Sequence, residues 1–386
     1  MCHQDPKALR VHKGFILFMV YYSFTFPPSF YKLLYSKYYL TTYQTNLPLK
    51  AIYLTKQGDA FSSFEQRDVP KPQAGKGQAL IKVDAFGLNF ADVMARRGMY
   101  KEAPPLPALL GYDVAGTIDQ LGEGVTGFAP GDRVMAMTRF GGYAEYAVTE
   151  ALAMAKIPDS ISSTAATALT TQYCTAYYAA AYVTNLFEGN NVLVQSGAGG
   201  VGTALIQYAK YKGCQIFATA GSSDKVEYLK KCGVHHAINY KTQDFAEEVT
   251  KVCGKNGIDI IFDAVGGKSV KQGMSLLNSG GRLVCYGAAS LNGKNIVGKL
   301  SSVLAFGLYH PLFLMMPSKG IIGVNMLKIA DNKPGVIQHC LQQVVDLVNK
   351  GVFIPEIGKV FSASQIGNAH DFLEKRKSIG KVVVEW

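Results

Sequence analysis

The segment VLVQSGAGGVGTALIQYAK, residues 192–210, constrains the fold more than any other stretch of the chain. Gly197-x-Gly199-x-x-Gly202 follows a short apolar run and opens an amphipathic one, so a buried strand turns sharply into a helix. The first glycine permits the turn, the second lets backbone approach a pyrophosphate, and the third lets the helix pack on the strand. Ala198, Gly200 and Val201 fill the turn, and the free N–H groups at the helix start face the phosphates. The alternative is a glycine turn used only for packing. Against it stands the pattern that follows. Strands at 191–195, 215–219, 236–239, 258–263 and 281–286 alternate with helices at 200–212, 224–231, 245–253 and 269–277. Short apolar strands alternating with helices predict a parallel sheet covered on both faces.

Upstream the texture is all-β, with short strands at 49–55, 79–86, 116–122, 132–137 and 143–148 separated by glycine turns, then a helix over 163–182. Downstream, 295–316 is apolar and ambiguous, 333–350 is an amphipathic helix, and 381–386 is a closing strand. With 48% hydrophobic and 17% charged residues the chain is globular, and 386 residues suggest two domains. The net charge of +11 is spread without a block of like charges or a nucleic-acid motif, so a small anionic ligand is expected and nucleic acid is not. Seven cysteines lie far apart with no C-x-x-C, as free thiols in a reducing, cytoplasmic compartment would.

Residues 1–48 differ from the rest. They hold 12 of the 42 Phe and Tyr, and 14–31 is free of charge. Pro27-Pro28 limits any helix there to about 20 Å, short of a ~30 Å hydrocarbon core. A poorly ordered extension is expected; a membrane-associating segment or a cleaved signal are the alternatives, and membrane contact is expected only through 14–31.

The glycine turn also bears on the choice of dinucleotide. NAD sites place an acid at the end of the second strand to hold the ribose hydroxyls. Here that strand ends Thr219-Ala220-Gly221, followed by Ser222, Ser223 and Lys225. The missing acid leaves room for a 2′-phosphate, and Lys225 can pair with it, so NADPH is the expected cofactor. Asp224 is the competing ribose acid, although it also suits the first turn of a helix capped by Ser222 or Ser223. Lys225 as a merely solvated lysine is the plain alternative.

The segments GLNFADVMARRGMY (87–100), GYDVAG (111–116), GEGVTGFAPGDRV (122–134), GAGGVG (197–202), DAVGG (263–267) and GKVVV (380–384) occur in this order. Together they resemble the zinc-independent medium-chain dehydrogenase/reductases of the zeta-crystallin-like quinone oxidoreductase group, near the vesicle amine transport protein homologues. The resemblance covers 49–386. It implies an α/β fold: a GroES-like β-rich domain (49–173 and 312–386) with an inserted Rossmann domain, a doubly wound parallel sheet over 174–311. Relatives with catalytic zinc carry Cys near Asn89, His-Glu where this chain has Tyr112-Asp113, and Cys near Thr171. No zinc is therefore expected.

Without a metal, reduction of a quinone or an activated C=C is easier than alcohol oxidation, because the developing oxyanion needs only hydrogen-bond donors and a proton. The resemblance puts Asn89, Asp92 and Tyr100 near the nicotinamide, with Tyr100 as donor. A packing tyrosine, a turn-stabilising amide and an acid pairing Arg96 or Arg97 are the plainer readings. It also implies cofactor contacts at Thr175, Tyr240, Gly287, Asn325 and Lys381, the last at a phosphate. Phe306, Tyr309, Phe313 and Met315 are expected in an aromatic substrate pocket, or in the core or a dimer interface. The expected activity is NADPH-dependent reduction of a quinone or enone by a homodimer. A 2-enoyl thioester reductase and a low-turnover binding protein with a structural or trafficking role are the alternatives.

Overall fold

The computed structural model describes residues 48–291, 298, 301 and 304–386, so the expectations for 1–47 lie outside the described residues. Eight strands come first: β1 (Leu49–Leu54), β2 (Phe64–Val69), β3 (Gln78–Leu88), β4 (Ala108–Leu109), β5 (Asp113–Leu121), β6 (Arg133–Met137), β7 (Tyr146–Glu150) and β8 (Met154–Lys156). In β3 exposed Lys82 and Asp84 alternate with buried Ile81, Val83 and Ala85, the signature of a strand with one wet face. A short helix, α1 (Phe90–Arg96), follows β3. The long helix α2 spans 163–183 and includes two π-helical stretches, Leu169–Tyr173 and Tyr178–Val183.

Six strands then build one parallel sheet: β9 (Asn191–Val194), β10 (Gln215–Ala220), β11 (His236–Asn239), β12 (Ile258–Asp263), β13 (Leu277–Cys285) and β14 (Gly320–Gly323). Their order, β11-β10-β9-β12-β13-β14, reverses direction between β9 and β12, which is where doubly wound sheets bind ligands. Adjacent residues of one strand serve opposite layers. Val192 and Val194 pack with Ile216 against α2, α3 (Gly200–Tyr211) and the late helix Pro334–Asn349, while Leu193 packs with Phe217, Ile238 and Ile261 on the other face. This explains the continuous apolar runs seen in the sequence. The Rossmann part runs past the expected boundary at residue 311, because β14 extends the sheet beyond β13. Among the described residues no helix is long and apolar enough to cross a membrane.

The chain returns to the first domain with β15 (Ile357–Ser362), helix Ile366–Glu374 and β16 (Lys381–Glu385), and β16 inserts between β15 and β3. Lys381 starts β16 fully buried, and its Nζ donates to Asp113 Oδ2 and to Asn89 Oδ1 at 3.0 Å. A side chain at Gly87 would overlap Lys381, so the glycine of β3 makes the passage. Lys381→Met should leave Asp113 charged and unpaired in the core, at a cost of about 3–5 kcal/mol. Urea denaturation should show that loss, and adding Asp113→Asn should recover much of it.

Candidate active site

A cleft of about 1400 Å³ lies along the carboxyl end of the parallel sheet. Its floor is the turn after β9. Gly197 N–H donates to the Thr219 carbonyl at 2.9 Å and Gly199 N–H to the Ser196 carbonyl at 3.0 Å, which fixes the loop. A Cβ at Gly202 would lie 2.7 Å from Gly197 Cα, so the third glycine serves helix–strand packing. A Cβ at Gly199 would meet nothing closer than 3.4 Å, so the protein's own packing does not require glycine there. That open approach fits a pyrophosphate. Gly380 bridges to Gly199, its N–H donating to the Ala198 carbonyl at 3.1 Å, so the returning strand is clamped to the turn.

Of the residues singled out from sequence, Asn89, Tyr100, Thr175, Ala198, Gly199, Gly200, Val201, Gly202, Gly221, Lys225, Tyr240, Gly287 and Asn325 line the cleft. Gly197 is buried beneath the turn. Ser222 caps the helix Ser223–Lys231 by position, without a side-chain bond, and is not in the lining. Two expectations need correction. Lys381 does not reach toward a phosphate, because its ammonium is consumed by Asp113 and Asn89 in the interior. Asp92 is also buried outside the lining; its Oδ2 accepts from Asn89 N–H at 2.8 Å. Neither Arg96 nor Arg97 pairs with Asp92, since both bond to Glu374. Of Phe306, Tyr309, Phe313 and Met315, Phe306 alone lines the cleft; Tyr309 is half-buried outside it, and Phe313 and Met315 are about 70% exposed.

At the β10 end, Lys225 is half-buried and its Nζ donates to the Arg376 carbonyl at 2.7 Å. Burial lowers its pKa, and the nearby Arg376 and Lys241 charges push the same way. Lys225 and Arg376 share one rim of the cleft, an arrangement that an anion relieves. Sequence reasoning missed Arg376, although it lies in the basic run just before GKVVV. At the other end the wall is apolar, with Phe90, Met94, Met99, Met137 and Leu327. Tyr100 stands edge-on to Tyr112, with ring centroids 6.3 Å apart. Burial raises the pKa of both phenols. Tyr112 Oη and Gln172 Oε1 are buried without a partner at normal hydrogen-bond distance, although the Tyr100 phenol lies close enough to Tyr112 to bias its ionisation.

The positions matched to zinc ligands do converge, but as a different device. Asn89 Nδ2 donates to Asp113 Oδ2 at 2.6 Å, Thr171 Oγ1 donates to Asp113 Oδ1, and the Lys381 ammonium sits among them. An amide, a hydroxyl and a carboxylate already committed to an ammonium do not fit a zinc ion. Among the described residues no group of three or more His, Cys, Asp or Glu is placed to hold a metal.

Fold and cleft together define a β-rich domain joined to a Rossmann-like sheet whose glycine turn suits a dinucleotide. The family described as alcohol dehydrogenase GroES-like domain matches residues 75–159, and that described as zinc-binding dehydrogenase matches 200–350. The human synaptic vesicle membrane protein VAT-1 homolog is 33% identical over 329 residues, covering 83% of this chain and 82% of its own. Rat quinone oxidoreductase is 30% identical over 324 residues, covering 83% and 92%. The crystal structure of the human VAT-1 homolog-like protein superposes with a TM-score of 0.76 at 28% identity, over 88% of this chain and 98% of that one. A mycobacterial protein solved in complex with NADPH gives 0.77 at 28% identity, over 88% and 100%. The chain belongs to the medium-chain dehydrogenase/reductase family, in its quinone oxidoreductase and VAT-1 branch.

Asp92 gives the site a pH signature. Burial is the main force that raises its pKa to about 7; the Asn89 N–H bond opposes it and the Asp113 charge reinforces it. Between the ordinary carboxylate value and about 7 the folded chain holds a proton that the unfolded chain has released. The stability from this group is therefore complete at low pH and is lost as pH rises through 7. Asp92→Asn, which keeps an acceptor for Asn89 N–H, should flatten the fall in denaturation midpoint between about pH 4 and 7.

Proposed function

We propose that the chain is an NADPH-dependent reductase of quinones or α,β-unsaturated carbonyls, working without zinc. The observation that carries this reading is the cation pair on the rim at the end of β10, where Lys225 and Arg376 both line the cleft, Lys225 Nζ donates to the Arg376 carbonyl at 2.7 Å, and the strand ends without an acid. A 2′-phosphate suits that rim, the glycine turn suits the pyrophosphate, and Thr175, Tyr240, Gly287 and Asn325 line the rest of the path. Bound there, the reduced nicotinamide supplies a hydride.

The residues of the chain then orient the acceptor, exclude water and serve its oxygen. The Asn89 amide is fixed by Lys381 at its oxygen and by Asp113 at one N–H, which leaves the second N–H for the cleft. Tyr100, half-buried at the apolar wall, is the proton donor in this reading. Aromatic and methionine side chains around it suit a flat conjugated substrate. An enoyl thioester reductase is the second reading, supported by the similarity to an enoyl reductase structure at 27% identity and a TM-score of 0.76.

The described cysteines are free thiols, which supports a reducing, cytoplasmic location. A homodimer belongs to the same proposal. β14 is an edge strand, and Leu308, Phe313, Met315 and Met316, which precede it in the chain, are exposed, as apolar residues covered by a second copy would be.

NADPH consumption with 9,10-phenanthrenequinone, 1,2-naphthoquinone, an alkenal and an enoyl thioester is the test. Turnover with the quinones or the alkenal is expected; a preference for the thioester selects the second reading, and no turnover overturns both. Lys225→Ala should weaken NADPH binding roughly tenfold or more, as loss of a charge-assisted bond implies. NADH binding should change little, and equal losses measured by fluorescence titration would remove the 2′-phosphate role.

A further inference from the structure

Among the described residues, two polar side-chain atoms on residues that line the cleft are buried without a partner at normal hydrogen-bond distance: Gln172 Oε1 and Tyr112 Oη, the latter with the Tyr100 phenol close enough to bias its ionisation. Gln172 belongs to the phosphate end, where a side chain at Gly200 would overlap its amide. Tyr112 belongs to the opposite, apolar end. We propose that Tyr112 is a catalytic residue whose hydroxyl donates a hydrogen bond to the carbonyl or quinone oxygen of the substrate. The inference rests on the reductase reading and adds the group that meets the developing charge.

The placement is rigid. Tyr112 directly precedes β5, and its carbonyl accepts from Thr138 N–H at 2.8 Å. Its ring packs on Phe140, with centroids 5.0 Å apart, and meets Tyr100 edge-on. The side chain is 8% exposed and its hydroxyl is covered, so a substrate oxygen meets it where the neighbouring Tyr100 ring gives way, in a low-dielectric wall where such donors are most effective. The next residue is Asp113, which holds Asn89. One short stretch of backbone therefore positions two donors, the Tyr112 hydroxyl and the free Asn89 N–H.

Chemistry decides the role. Burial and the nearby Asp92 carboxylate both disfavour the phenolate, so Tyr112 stays protonated and acts as a hydrogen-bond donor that keeps its proton. Hydride addition to the conjugated carbon breaks the substrate's π bond and moves an electron pair onto the oxygen, where Tyr112 meets it. The proton that completes the reduction comes from water, passed through Tyr100, and NADPH is the reductant. Tyr100 and Tyr112 thus divide the work, one moving a proton and the other stabilising charge.

Tyr112→Phe keeps the ring and its packing, so the melting temperature should stay near that of the wild type. Its kcat with 1,2-naphthoquinone should fall at least tenfold, as loss of one such donor implies, while NADPH affinity stays within about twofold. A readout independent of turnover is the calorimetric affinity of the NADP⁺-loaded protein for cyclohexanone, which should weaken about fivefold or more in the variant. Tyr100→Phe, run alongside, should lower kcat and leave ketone affinity nearly intact. If Tyr112→Phe proves unstable, 3-fluorotyrosine at position 112, a stronger donor of nearly the same shape, should tighten ketone binding. Unchanged kcat and unchanged ketone affinity would overturn the proposal. A wild-type protein that turns over no quinone or enone would instead remove the reductase reading, and the ketone titration would still decide whether Tyr112 serves a carbonyl oxygen.

Discussion

The ion pair between Lys381 and Asp113 is the contact on which the rest of the molecule converges. It ties β16 to β5, passes over Gly87 of β3, fixes the amide that starts α1, and reaches α2 through Thr171. An ammonium and a carboxylate with no exposure are expensive to desolvate, and replacing them with apolar residues would not necessarily weaken the fold. What they contribute is specificity of arrangement. Lys381 follows Gly380, whose N–H closes onto Ala198, so one dipeptide fixes both the substrate side and the phosphate side of the cleft.

The Rossmann half was readable because its two signals reinforce each other. The 197–202 turn gives the local geometry, and the alternating apolar runs give the sheet that the turn must serve. The strands missed or misjudged have local physical causes, and β4 and β8, of two and three residues, are too short to show a pattern. β2 and β15 are sheet edges with mostly wet side chains, so neither periodicity nor continuous hydrophobicity marks them. β14, only four residues with two glycines, has too little pattern to register, which displaced the expected domain boundary.

Legibility at the site followed the same logic. Residues that act through backbone geometry, the glycines above all, were visible from spacing. Residues whose meaning depends on a distant partner were not. Lys381 looked like a free cation near a phosphate because nothing local reveals Asp113, nearly 270 positions away in the chain. Arg376 and Tyr112 carried only weak signals, a short basic run and an aromatic residue where relatives with zinc have histidine. Their significance emerges only when the β10 end and the β5 start are seen to face one cleft.

The pairing of β16 with β3 has a kinetic consequence. Val384 registers with Phe86 across about 300 residues of chain, whereas the Rossmann strands and helices meet neighbours close in sequence. Loop-closure entropy delays such distant contacts, so the parallel sheet can assemble before β16 docks. Until it does, the phosphate turn lacks its Gly380 clamp and Asp113 lacks its cation. Completion of the cleft therefore belongs among the slow, long-range steps by which this topology closes.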